Sequence, residues 1–223
     1  MRVVVGEVLT LALVVTLSPL NVIPAVLLLF TKKPLAGACS FLVGFLVGVA
    51  VVLGAFVAIA DAIDLSLRSG HSAWPGILKL ALGLYLVVAA VGKFRGRPKP
   101  GEEGSMPKWM DGIAGYTPAK AFGAGLVLGA VNPKNVVVGL AAAVTIASAD
   151  LPAAQQVGAC TVYVVIAILG VLAPILAMLL LGDRAPAVLQ GWRSWLAHNS
   201  ATVMSVLFLV FGVVLIGQGI GGA

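Results

Sequence analysis

The sequence predicts an all-α integral membrane protein of six transmembrane helices, built as two inverted repeats of three helices. Hydrophobic residues make up 61% of the chain and charged residues only 10%, which is typical of a membrane protein and not of a soluble domain. Six apolar segments are each long enough to cross a hydrocarbon core of about 30 Å. A short polar motif recurs in the first and fourth segments, and this recurrence divides the chain into two halves.

The six apolar segments form one transmembrane domain that covers residues 1–223. They lie at residues 3–30, 35–60, 74–92, 121–147, 157–181 and 201–220. Long continuous apolar runs favour helices over barrel strands, which would be about ten residues long and alternating. The first segment is too long and too polar at its centre for a cleavable signal peptide, so we expect it to be retained. Repeat 1 covers about residues 1–94, a cytoplasmic loop about 95–119, and repeat 2 about 120–223.

The fourth segment contains the most costly residues of the chain. Asn132, Pro133, Lys134 and Asn135 interrupt a run that is otherwise apolar. If the segment is one helix, the Lys134 ammonium lies about 20 Å from either end, too far to reach water. A lysine at the centre of a span costs roughly 2.5–3.5 kcal/mol and marks a functional site by default. We therefore expect Lys134 to face a bundle interior or a wet cavity.

The first segment carries a matching motif. Ser18-Pro19-Leu20-Asn21-Val22 repeats the pattern of residues 132–136, a small polar residue followed by Pro, any residue, Asn and Val. A proline lacks its N–H and frees the carbonyl four residues earlier. The freed carbonyls would be those of Val15, Gly129 and, because of Pro24, Leu20. In a membrane they need partners from neighbouring helices, water or a ligand.

Paired interruptions in two inverted halves indicate a binding site at mid-membrane depth in a secondary transporter. The alternative is that the prolines only kink their helices, which is common in membrane proteins. Gly129 lies one turn before Pro133; helix packing explains it, and it would also give access to a freed carbonyl. The predicted transport site consists of nine residues: Ser18, Pro19, Asn21, Pro24, Gly129, Asn132, Pro133, Lys134 and Asn135.

The distribution of positive charge predicts the orientation. Ten Lys and Arg residues flank the odd-numbered loops and three flank the other side. By the positive-inside rule, both termini then face outward and the basic loops are cytoplasmic. The net charge of +6 is explained by this topology and by anionic lipid headgroups, so no nucleic-acid partner is expected.

The remaining chemistry-bearing residues predict little activity. Cys39 and Cys160 lie near opposite membrane faces, so we expect them not to pair. His71 and His198 fall in loops, and no span holds a cluster that could bind a metal. No ATP-binding motif is present, so we expect any energy for transport to come from gradients, from a partner or from the substrate's own gradient. We expect no enzyme activity, no cofactor and no metal. Glu7 and Lys79 are each expected to be a snorkelling or interfacial residue, and a proton-coupling role for Glu7 is the alternative.

Several motifs together resemble a known family. Ser18-Pro-Leu-Asn-Val-Ile-Pro, Pro107-Lys-Trp-Met-Asp, Thr117-Pro-Ala-Lys-Ala-Phe and Asn132-Pro-Lys-Asn are similar to those of the peptidoglycolipid or sulfolipid addressing proteins of mycobacteria and relatives. That family is part of the lysine-exporter superfamily. The resemblance covers essentially the whole chain. It implies six spans in two inverted repeats, export of cell-envelope lipids, and a site lined by the polar and proline residues of the two motifs.

These inferences predict a multi-pass transporter of the bacterial cytoplasmic membrane. It would export or flip an anionic or polar-headed envelope lipid, with Lys134 as counter-charge and Ser18, Asn21 and Asn135 as hydrogen-bonding partners. Two alternatives stay open: an exporter of a small amino acid or related metabolite, and a membrane scaffold for envelope-lipid synthesis. The expected partners are the lipid substrate and the bilayer; a homodimer and an association with envelope-lipid synthesis enzymes are compatible with the sequence.

Overall fold

The computed structural model describes residues 2–67, 74–97, 112–113, 115–149 and 151–221. These residues form eight α-helices and no strand. The helices are α1 (Arg2–Thr16), α2 (Pro19–Leu28), α3 (Pro34–Leu67), α4 (Trp74–Arg95), α5 (Pro118–Ala130), α6 (Pro133–Ala147), α7 (Ala153–Leu181) and α8 (Ala185–Gly221). The prediction of an all-α protein is confirmed.

The first and fourth apolar segments are each two helices and not one. α1 and α2 meet at a bend of 52°, and α5 and α6 meet at a bend of 54°. Pro19 and Pro133 are the first residues of α2 and α6, where a missing N–H costs nothing because the first helical N–H groups have no intrahelical partner. The prolines therefore start new helices, and the predicted interruptions of the first and fourth segments are confirmed.

Several helices have the length and apolar composition needed to cross a membrane. Within the described chain, the stretches Pro34–Ala62, Pro75–Arg95 and Ala153–Gly221 meet both criteria, and counting each bent pair as one span gives up to five. Large apolar side chains such as Val51, Val88 and Val213 are exposed on the outside of the bundle. Helices that are apolar on both inner and outer faces are typical of a membrane environment. Six spans and an inverted repeat stay predictions.

Close contacts between α3 and α5 hold the centre of the bundle. A side chain at Gly48 would place its Cβ 2.5 Å from the Leu126 carbonyl oxygen, and one at Gly129 would lie 2.6 Å from that of Phe45. Both positions must therefore be glycine for the two backbones to approach so closely. The packing role predicted for Gly129 is confirmed, and the helix that reaches it is α3.

Two further helix pairs also approach each other closely at glycines. Gly170 of α7 faces the carbonyl of Thr16 at the end of α1, and the Thr16 hydroxyl donates a 2.5 Å hydrogen bond to Ile166 of α7. Gly83 of α4 faces the backbone of Gly212 in α8. As a result α5 lies against α3, and α1 lies against α7, so both helix breaks are surrounded by other helices.

Candidate functional site

The two helix breaks begin with residues in extended conformation. Ser18 precedes α2 with φ −77° and ψ 114°, and Asn132 precedes α6 with φ −60° and ψ 117°. The Asn132 side-chain oxygen accepts a 3.2 Å hydrogen bond from the Lys134 backbone N–H, which is the standard arrangement for capping a helix start. Ser18 forms no such cap; its hydroxyl lies 3.9 Å from the Met204 sulfur of α8. Ser18 and Asn132 are both buried.

The asparagines of the two motifs bind carbonyls that the breaks leave free. Asn21 Nδ2 donates to the Val15 carbonyl at 3.1 Å, so the predicted need of Val15 for a partner is met within the motif itself. Asn135 Nδ2 donates to the Leu128 carbonyl at 2.9 Å. The second break therefore directs its asparagine to the residue before Gly129, whose carbonyl the sequence had singled out. Each asparagine ties the start of one half-helix to the end of the preceding one.

Lys134 is buried, as predicted, and its ammonium reaches the other half of the chain. Only 6% of the residue is exposed, and Nζ donates a 3.0 Å hydrogen bond to the Val14 carbonyl of α1. Val14 lies in the last turn of α1, where carbonyls lack helical partners and the helix dipole is negative, so this end attracts a cation. No carboxylate forms an ion pair with Lys134 within the described residues. The charge is therefore held by one carbonyl and a helix end.

The two motifs meet at a single polar contact. Asn132 Nδ2 lies 3.5 Å from Asn21 Oδ1, a long and weak hydrogen bond that joins the two breaks. The structure thus brings Ser18, Asn21, Asn132, Lys134 and Asn135 into the buried interior, with Pro19 and Pro133 at their helix starts. Pro24 is also buried, inside α2, one turn after Asn21.

One buried acceptor at the site has no partner. Asn135 Oδ1 is buried without a hydrogen bond. It borders a cavity of about 10 Å³, which Val15, Gly129, Gly139 and Tyr163 help to line. That volume is just enough for one water molecule, and a buried orphan acceptor is a good place for one. The cavity has no room for a lipid headgroup, so this conformation of the site is closed.

The structure also pairs residues that the sequence analysis treated separately or passed over. Lys79 of α4 lies 3.6 Å from Glu7 of α1, an ion pair that was not predicted. Asp61 of α3 lies 3.5 Å from the side-chain nitrogen of Gln156 in α7. Both acids stand within or just beyond apolar segments, and an acid in such a position is the signal that could have drawn attention to them.

The two cysteines are unpaired, as predicted, with Cys39 on α3 and Cys160 on α7. Among the described residues, no three His, Cys, Asp or Glu side chains come together as metal ligands would. His71 lies outside the described residues. The centre of the site is therefore a set of amide, hydroxyl and ammonium groups, which can bind polar and anionic groups by hydrogen bonds and charge.

Comparison with known proteins identifies the family of this chain. The family model described as Sap, sulfolipid-1-addressing protein, matches residues 8–221, which is essentially the whole chain and includes both motifs. Comparison with curated proteins and with solved structures finds no match. Since the match covers far more than half of the sequence, the chain belongs to the sulfolipid-1-addressing protein family.

Proposed function

We propose that this protein moves an envelope lipid with an anionic headgroup outward across the cytoplasmic membrane. Lys134 supplies the positive charge, and Ser18, Asn21 and Asn135 supply hydrogen bonds. The observation that carries the proposal is a buried ammonium at a paired helix break, which no carboxylate of the described residues neutralises. The family name points to a sulfolipid, and a sulfated headgroup would be anionic.

The contacts of Lys134 favour a headgroup with hydroxyl groups as well as an acid. An anion that draws the ammonium away leaves the Val14 carbonyl without its donor. An orphaned carbonyl in a dry interior costs about 1–3 kcal/mol, and an anion cannot relieve it because it only accepts hydrogen bonds. A sugar hydroxyl beside the acid can donate to Val14. The best substrate is therefore an acidic glycolipid.

The proposal includes six spans in two inverted repeats. Gly182 follows α7 with φ +51°, a left-handed conformation that interrupts the helix, and this supports treating α7 and α8 as separate spans. The packing supports the repeat, because α3 lies against α5 and, at the matching place in the other half, α7 lies against α1. A mid-membrane site between two inverted repeats is the usual arrangement in secondary transporters.

The closed conformation implies that the site opens during transport. Lys134, Asn21 and Asn135 are buried, and the cavity beside Asn135 holds about one water. The breaks at Ser18 and Asn132 are the natural hinges, since the backbone there is already non-helical. Movement of α2 and α6 about these points would expose the ammonium to a headgroup.

The test is flipping of labelled lipid in reconstituted vesicles. A fluorescent sulfated glycolipid and a fluorescent phosphatidylcholine are compared, with rates normalised to inserted protein. We expect the wild type to move the sulfated lipid faster, Lys134→Ala to abolish that difference, and Lys134→Arg to keep part of it because the charge remains while the geometry changes. Lys93→Ala removes an exposed lysine at the end of α4 and serves as the matched control.

Equal movement of both lipids by wild type and Lys134→Ala would contradict the proposal. Movement of a small amino acid, with no movement of either lipid, would favour the metabolite exporter. Absence of any transport by purified protein, together with retained envelope-lipid production in cells carrying Lys134→Ala, would favour the scaffold.

A further inference from the structure

A groove runs along the outside of the bundle between α3 and α7. Its volume is about 570 Å³, within the range of about 300–1,000 Å³ that is usual for binding sites of small organic molecules. The walls are almost entirely apolar. They include Leu46, Ala50, Val57, Val164 and Val165.

One end of the groove is polar. Asp61 and Gln156 line it, with Gln156 Nε2 at 3.5 Å from Asp61 Oδ1 and at 3.3 Å from the Leu151 carbonyl. No positively charged side chain pairs with Asp61 in the part of the chain that the structure describes. The carboxylate therefore has free acceptor capacity, and a ligand at this end must offer hydrogen-bond donors.

This polar end gives the groove its selectivity. Apolar walls alone do not favour a lipid chain in the groove over one in the bilayer, because both surroundings are equally apolar. Hydrogen bonds to a carboxylate are stronger than those between neutral groups. Recognition is thus expected at Asp61 and Gln156, while the apolar walls accommodate the chain.

The groove also comes close to the buried site. Leu53 is 1% exposed and lines both the groove and the small cavity beside Asn135. The groove and the cavity therefore share Leu53 as a lining residue.

We propose that the groove between α3 and α7 binds one acyl chain of a membrane glycolipid, whose sugar hydroxyls donate hydrogen bonds to Asp61 and Gln156. Leu53 borders both this lateral site and the small cavity beside Asn135. That the bound lipid is also the transported lipid rests on the proposed function; the binding itself does not.

The experiment uses the full chain in lipid nanodiscs with a glycosyl diacylglycerol that carries a photoreactive diazirine in one acyl chain. Crosslinked peptides are mapped by mass spectrometry. We expect a higher yield of crosslinks on the groove-lining residues of α3 and α7 than on the exposed surfaces of α4 and α8. Gly54→Phe should abolish the groove crosslinks, since Gly54 lines the groove and its side chain would enter open space. Gly217→Phe in α8, also open, is the matched control.

A second variant tests the polar end. Asp61→Leu should reduce groove crosslinking of the glycolipid by about tenfold, as expected for one lost hydrogen bond to a charged group. It should leave a phosphatidylcholine probe with the same acyl chain unchanged, since that headgroup has no hydroxyl to donate. Uniform crosslinking around the bundle, or equal loss with both probes, would overturn the proposal. Because binding is measured, the transport results for Lys134 stand independently.

Discussion

Replacing Lys134 with methionine separates a structural role from a transport role. The side chains are similar in length, so Lys134→Met removes the charge without leaving a cavity. The lysine costs roughly 2.5–3.5 kcal/mol at mid-membrane depth, whereas an interhelical hydrogen bond in a membrane protein returns on average about 0.6 and at most about 1.7 kcal/mol. Since Nζ makes one hydrogen bond, to Val14, and no ion pair with any residue that the structure describes, we expect the variant to be about 1–3 kcal/mol more stable than the wild type.

The assay is reversible unfolding in mixed micelles, followed for wild type and variant under identical conditions and paired with the vesicle transport assay. For Lys134→Met we expect an unfolding midpoint under more strongly denaturing conditions than for the wild type, and no selective movement of the sulfated lipid. Asn21→Ala is the informative comparison, because it removes the 3.1 Å bond to the buried Val15 carbonyl and leaves that carbonyl only the longer 3.4 Å bond from the Ser18 N–H. It should lower stability by about 1–3 kcal/mol. If Lys134→Met were the less stable protein by a similar amount, the lysine would be a structural tie and the reasoning from its cost would be wrong.

Three further predictions address topology, packing and the thiols. In a cysteine-free background, an impermeant reagent added to intact cells should label Gly222→Cys and not Ser105→Cys; the reverse pattern would reject the predicted orientation. Gly48→Ala should destabilise the protein by about 1–3 kcal/mol, because its Cβ would lie 2.5 Å from a backbone oxygen of α5. Gly54→Ala, whose Cβ would enter open space, should be neutral or stabilising by up to about 1 kcal/mol. Thermal unfolding of both variants would show whether the two stability changes have opposite signs. Replacing both native cysteines with alanine should leave transport unchanged, and a loss of transport at normal membrane abundance would instead indicate a mechanism that uses the thiols.

The helices and the position of the polar motifs could be predicted because they depend on local sequence. Long apolar runs predict helices, and a proline after a small polar residue predicts a break at Ser18 and Asn132. The requirement of Val15 for a partner follows from the same local rule and is met by Asn21. The identity of the second carbonyl, Leu128 and not Gly129, differs by one residue because the exact turn at each break depends on packing against neighbouring helices.

Contacts between distant segments could not be predicted in this way. The approach of Lys79 to Glu7 and of Gln156 to Asp61 depends on which helices become neighbours. A single sequence does not specify which helices pack together. The groove between α3 and α7 was missed for the same reason, since each wall alone is an ordinary apolar helix face. Gly170 likewise has no recognisable motif around it, yet its contact with Thr16 brings α7 against the first break.

The most consequential difference between the two motifs is the residue after each proline, Leu20 in the first copy and Lys134 in the second. Val14 lies four residues before Ser18, and Leu128 four residues before Asn132, so these carbonyls occupy matching positions. Leu128 is bound by Asn135 of its own half, whereas Val14 is bound by Lys134 from the other half. The lysine after the second proline thus replaces a hydrogen bond within one half of the chain by a hydrogen bond between the two halves, which we call a tie. In the proposed function, a headgroup that drew Lys134 away from Val14 would release this tie and would couple substrate binding to movement of one half of the chain against the other.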